Sequence, residues 1–124
     1  KEVAVLAKVQ GHPNIVGFYG VCHVGAGITD VQSHAIQMEY CGGGDLITAI
    51  GQHRFNEHRA HGVIGDILQG LAHMHECGFV HRDVKPENFL IGNTDKTANK
   101  IFICDFGLAK YFLIPSEQAK SGIQ

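Results

Sequence analysis

An α+β fold is expected for this chain of 124 residues, and two patterns carry that expectation. Short apolar runs of strand length, Ile15–Cys22, Ala35–Tyr40, Phe89–Ile91 and Ile101–Cys104, are bounded by glycines and polar residues. Between the first two runs and the last two lies one long stretch, Glu57–Glu76, whose apolar residues recur at helical spacing. The length allows one domain at most.

Residues 1–10 read as the end of an amphipathic helix, with Val3, Leu6 and Val9 on one face. Gly11 is a natural stop, and Pro13 reinforces it. The two strands that follow are joined by a glycine-rich polar loop. After them, Gly42-Gly43-Gly44 has neither glycine spacing of a phosphate cradle and reads as a flexible linker. Asp45 is placed to cap a short helix, Leu46–Ile50, and Asn56 to cap the long one. Along that long helix Ala60, Val63, Ile64, Ile67, Leu68, Leu71, Ala72 and His75 form the expected core face, and Gly78 ends it. The last two strands flank a polar loop, Gly92–Lys100.

Composition narrows the function classes. Ten Lys and Arg against twelve Asp and Glu give a formal charge of −2, with no basic patch for nucleic acid and no charged tail. No apolar run approaches the roughly 20 residues that span a bilayer. The four cysteines, Cys22, Cys41, Cys77 and Cys104, are scattered without a C-x-x-C pair. That spacing argues against a zinc site or disulfide framework and fits a reducing, intracellular, cytoplasmic setting. Nine histidines invite a metal reading. His75-Glu76 does not continue to H-E-x-x-H, however, so His58, His61, His73 and His75 read as solvated helix residues.

The chemistry concentrates in Phe79–Leu90, which contains His81-Arg82-Asp83, Lys85 and Asn88, and in Asp105-Phe106-Gly107 behind the last strand. Asn88 and Asp105 offer hard oxygen ligands of the kind Mg²⁺ takes. Lys85 follows Asp83 by two residues, so an extended loop puts both side chains on one side. Gly107 frees the backbone to turn after the strand. The combination resembles the catalytic loop and metal-binding triplet of eukaryotic protein kinases. It implies a truncated, two-lobed kinase-like fold: an N-lobe remnant over 1–40, a hinge over 41–45, and C-lobe from 46 to 124.

The resemblance implies a function and a set of roles. The activity would be transfer of the γ-phosphoryl of Mg-ATP to a protein hydroxyl, where positioning and charge neutralisation dominate the rate. Asp83 would accept the hydroxyl proton and Lys85 would neutralise the moving phosphoryl, while Asn88 and Asp105 hold Mg²⁺. Glu2 falls where kinases place the glutamate that pairs with the ATP-binding lysine, although an acidic residue opening a helix also suits the macrodipole. Met38 would be the gatekeeper, and the backbone of Glu39 and Cys41 would meet the adenine edge. Asp45 would approach the ribose, in addition to or instead of capping its helix. Glu87 is counted with the nucleotide-binding residues, and Leu90 would touch the underside of adenine. Leu6, Phe18, His81 and Phe106 would be packing residues.

Lys85 at this offset resembles serine/threonine kinases, and Asn88-Phe89-Leu90 with the longer following loop resembles the calcium-dependent and calmodulin-regulated branch. The partner would be a protein with a Ser or Thr acceptor. Ser116 and Ser121 are candidate phosphosites with Arg82 as the phosphate partner, or plain loop serines. Neither a glycine-rich loop nor the strand lysine precedes Lys1, and no Ala-Pro-Glu closes the activation segment. The chain is therefore expected to be a fragment of a longer kinase, inactive and aggregation-prone alone. The competing class is a non-catalytic kinase-like binding module, which would be free to lose Asp83, Lys85, Asn88 and Asp105.

Overall fold

The computed structural model describes residues 2–24, 33–53, 56–93 and 99–112. Helix α1 spans Glu2–Lys8, and strands β1 and β2 span Phe18–Val24 and Ser33–Met38. Helices α2, Leu46–Gly51, and α3, Glu57–Glu76, follow. The remaining elements are short: β3, Phe79–Val80; a 3₁₀ turn, Pro86–Asn88; β4, Phe89–Ile91; β5, Ile101–Ile103; and β6, Lys110–Tyr111. The strands form three antiparallel pairs, β1–β2, β3–β6 and β4–β5. The two-residue β3–β6 pair has no pattern long enough to be visible in sequence.

Strand β5 is the structural centre. Ile101, Phe102 and Ile103 are all buried, and the strand is held from three directions. Phe102 pairs with Leu90 of β4, and Ile103 bridges to Ile15. The amide of Ile101 donates to Asp66 of α3 at 3.0 Å, and its carbonyl accepts from the buried Asn14 side chain at 2.9 Å. Every polar group of a fully buried strand must find such a partner. Asp105 emerges two residues after this support.

The segment before β1 departs from a continuous strand. The Gln10 side chain donates to the carbonyls of Leu6 and Val16 and accepts from the Phe18 amide, so it staples the end of α1 to the start of β1. The β1–β2 register slips between Phe18 and Gly20, leaving Tyr19 exposed on a bulge.

Both helix caps read from the sequence form as expected: the Thr48 amide donates to Asp45 Oδ1 at 2.7 Å, and the Arg59 amide to Asn56 Oδ1 at 2.8 Å. The core face of α3 is rotated from the expected one. Gly70 and Met74 are buried, with Val63, Ile67 and Leu71 partly so, whereas Ile64 is 55% and Leu68 60% exposed. The reason is Gly70. A Cβ there would lie 2.6 Å from Ile103 Cδ1 and 3.2 Å from the Asn14 carbonyl, so the helix meets β5 through a residue with no side chain. Hydrophobic periodicity cannot register such a contact.

Ile64 instead borders an apolar groove with Leu46, Val63, Val84 and Phe89. Exposed side chains of this size on one helix favour association. The 124-residue chain by itself should scatter light at micromolar concentration, and Ile64→Glu with Leu68→Glu should suppress the scattering without changing its far-ultraviolet circular dichroism.

The glycine run is not the flexible linker expected. The Gly43 amide donates to the Ile91 carbonyl, and the Ile91 amide to the Gly44 carbonyl, both at 2.8 Å. A Cβ at Gly43 would lie 2.6 Å from the Ile91 carbonyl oxygen and 2.8 Å from Ile91 Cβ, so the backbone can approach β4 only without a side chain. Gly44 takes φ +78°, where glycine is unstrained. Gly43→Ala in the full-length protein should cost about 1–3 kcal/mol of stability through overpacking. Thermal unfolding checks this.

Candidate active site

The loop between β3 and the 3₁₀ turn is fixed by two side chains that reach across it. His81 is 2% exposed; its Nδ1 accepts the Asp83 amide and its Nε2–H donates to the Cys104 carbonyl, both at 3.2 Å. Both ring nitrogens are thereby engaged by the neutral tautomer, and the ring packs on Phe106 at 5.7 Å between centroids. This is the satisfied core histidine anticipated, with buried Leu6 and Phe106 in the same core and Phe18 packed against it.

Asn88 makes the second link. Its amide nitrogen donates to the Asp83 carbonyl at 2.8 Å and to Asp83 Oδ2 at 3.0 Å. Its backbone carbonyl accepts from the Cys104 amide at 3.0 Å and from the Cys104 thiol at 3.3 Å. Asp83, Asn88 and the segment leading into Asp105 are therefore one hydrogen-bonded unit. Asp83 Oδ1 lies 3.7 Å from Lys85 Nζ, on a side chain about half exposed, so that pair is loose and solvent-screened.

Two backbone conformations at the site are costly. Arg82 has φ 67° and Asp105 φ 60°, in the left-handed region that non-glycine residues seldom occupy. Strain of this kind persists where surrounding structure over-determines it, typically at functional sites. Here the Arg82 Nε donates to the Leu108 carbonyl at 2.7 Å, and Asp105 Oδ1 accepts the Gly107 amide at 3.2 Å. The twist at Asp105 leaves its carboxylate exposed at the end of the β5 support.

The donor set suits a hard divalent cation. The Asn88 amide nitrogen is committed to Asp83, which leaves the Asn88 Oδ1 and the Asp105 carboxylate as oxygen donors of the hard kind. Among the described residues no group of three or more His, Cys, Asp or Glu is arranged to hold a metal ion. Cys104 is not a competing ligand. Burial first, then the neighbouring Asp105 carboxylate, pushes its thiol pKa to about 12. Cys41 rises to about 11 by burial and the Glu39 charge, so both stay protonated thiols near neutrality.

The other sequence-derived residues are distributed as follows. Glu2 is half-buried on the first turn of α1 and faces the Asp105–Gly107 turn: a Cβ at Gly107 would sit 4.0 Å from Glu2 Oε2. Met38 ends β2 and is exposed. Glu39 folds its carboxylate back to the Gly17 amide at 3.1 Å, and Cys41 is buried. Asp45 is bridged to Leu90, beside β4. Its carboxyl pKa is lowered by the Thr48 side-chain and backbone hydrogen bonds that make it a helix cap. Glu87 is exposed on the 3₁₀ turn. Ser116 and Ser121 lie outside the described residues. Three supporting residues escaped sequence reading: Gln10, Asn14 and Asp66, each a polar side chain whose role depends on a distant backbone group.

The sequence has counterparts among known proteins. The sequence matches the protein kinase domain family over residues 1–122. The chain belongs to the protein kinase domain family. The kinase domain segment is 42% identical over 115 residues to the Serine/threonine-protein kinase DCLK3 of Mus musculus, covering 92% of this chain and 14% of that protein. It is 39% identical over 113 residues to the CDPK-related kinase 1 of Arabidopsis thaliana, covering 90% and 18%. It is 35% identical over 117 residues to the Calcium-dependent protein kinase 27 of the same plant, covering 90% and 22%. The segment thus spans less than a quarter of the length of each of these relatives. No helix among the described residues of this kinase domain segment is long and apolar enough to cross a membrane.

Proposed function

We propose that the protein carrying this chain is an ATP-dependent serine/threonine protein kinase with Asp83 as the proton acceptor. The observation that supports this best is the hydrogen-bonded unit joining Asp83, Asn88 and the backbone before Asp105. Mg-ATP would supply the transferable phosphoryl group and the cation charge that offsets it. Asp83, held by Asn88, would orient a Ser or Thr hydroxyl and take its proton. Lys85, half exposed and loosely paired, would be free to turn from Asp83 toward the transferred group. Asn88 Oδ1 and the Asp105 carboxylate would hold Mg²⁺.

Glu2, facing the Asp105 turn, would receive the ATP-binding lysine. Met38, the backbone of Glu39 and Cys41, Asp45, Glu87 and Leu90 would form the adenosine side of the cleft. In this reading residues 1–40 contribute to the N-lobe, 41–45 to the hinge and 46–124 to the C-lobe. Similarity to proteins named as calcium-dependent or CDPK-related supports placing the enzyme near that branch. Scattered free thiols support an intracellular setting.

Incubating the full-length protein with γ-labelled ATP, Mg²⁺ and a mixed peptide library should label serine and threonine. Labelling confined to tyrosine would overturn the acceptor class. Nucleotide binding without transfer to any acceptor would favour a non-catalytic kinase-like module.

A further inference from the structure

The α1–β1 loop meets the central helix through two imidazoles that the phosphotransfer reading leaves unused. His12, in the loop, and His73, on α3, stack at 4.8 Å between centroids with an interplanar angle of 27°. The hydrogen bonds place or exclude a proton at one nitrogen of each ring. His73 Nε2 lies 2.7 Å from the Val9 carbonyl, which can only accept, so Nε2 carries a proton and donates. His12 Nδ1 accepts the Asn14 amide at 3.0 Å, so Nδ1 carries none. A proton added to His12 would go to Nδ1. It would set two N–H groups against each other, break the Asn14 contact and place positive charge on the face of the partner ring.

We propose that the His12–His73 stack is a proton-sensitive latch that joins the α1–β1 loop to α3 while His12 is neutral and releases as His12 is protonated.

The surroundings support that direction. The His12 pKa is lowered by burial, then by His73 and by Lys100, which precedes β5; Glu76 of α3 opposes them. Cys77 lies 3.7 Å from His73 Nε2, with its own pKa raised by burial and by Glu76, and Glu39 lines the same surface cavity as His12 and Lys100. A histidine whose folded pKa is depressed binds its proton more readily in the opened state. Its stabilisation is therefore present above the ordinary value of 6.5 and is lost as pH falls through it toward the lowered folded value.

The loop is well placed to transmit the release. Asn14 and Ile15 hold the central strand β5, and α1 on its other side carries Glu2. Loosening at His12 would free both flanks of the site at once.

Hydrogen–deuterium exchange of the full-length protein tests the latch without requiring activity. Corrected for intrinsic rates, the segment containing Asn14 should lose protection several-fold between pH 7.5 and pH 5.5. His12→Asn, whose side-chain oxygen can accept the same amide but cannot take a proton there, should abolish the pH dependence while keeping protection at pH 7.5. His73→Gln, which can still donate to the Val9 carbonyl, should reduce it. Equal loss of protection in wild type and His12→Asn would overturn the proposal, as would a His12 pKa at or above 6.5 measured by nuclear magnetic resonance. A His12→Asn protein already unprotected at pH 7.5 is read through His73→Gln: an unchanged pH dependence there overturns the latch, and a reduced one supports it.

Discussion

Asp83→Asn in the full-length protein is expected to lower the phosphotransfer rate by roughly 10²-fold or more, the usual effect of removing one proton-accepting transition-state contact. The amide can still accept the hydrogen bond that Asn88 now gives to Asp83 Oδ2, so the loop should keep its shape. His81 fixes the Asp83 backbone independently of the side chain. Nucleotide affinity should therefore persist while kcat collapses. Steady-state kinetics paired with direct measurement of ATP binding separates the two, and activity equal to wild type would remove Asp83 from the proposed role.

Asp105→Asn should act on binding as well. The substitution preserves size and leaves an oxygen to accept the Gly107 amide, so the strained turn can survive. What is lost is the negative charge at the end of β5. Mg²⁺-dependent ATP binding should weaken by at least about tenfold, in the range seen when metal-site polar groups are changed. Nucleotide binding measured without Mg²⁺ should change little. Calorimetric titration with and without the metal checks both, and equal weakening in its absence would mean that Asp105 serves only the fold. Asp83→Asn, tested in the same way, should show no such metal dependence.

The difference between these two variants follows from how each residue is held, which only partly shows in the sequence. Asp83, Lys85, Asn88 and Asp105 could be singled out as candidates because their motif is one of residue type and spacing, and both are printed in the chain. The caps at Asp45 and Asn56 were legible for the same reason: each satisfies an amide three residues away. The face of α3 was not, because its closest approach to β5 runs through Gly70, which carries no hydrophobic signal. Nor was the rigidity of Gly42-Gly43-Gly44, since a glycine run is flexible or tightly packed according to what lies beside it. Here that neighbour is Ile91.

By itself the sequence named the candidate reactive groups, the order of the longer helices and strands, and the local caps, all of which rest on residues close in the chain. Tertiary structure decided the rest. It brought Asn14 to Ile101 across 87 positions, Asp66 to the same residue across 35, and His81 to Cys104 across 23. Buried backbone groups must be satisfied wherever the packing leaves them, and the distant side chain that does so is selected by the folded geometry rather than by any neighbour in sequence.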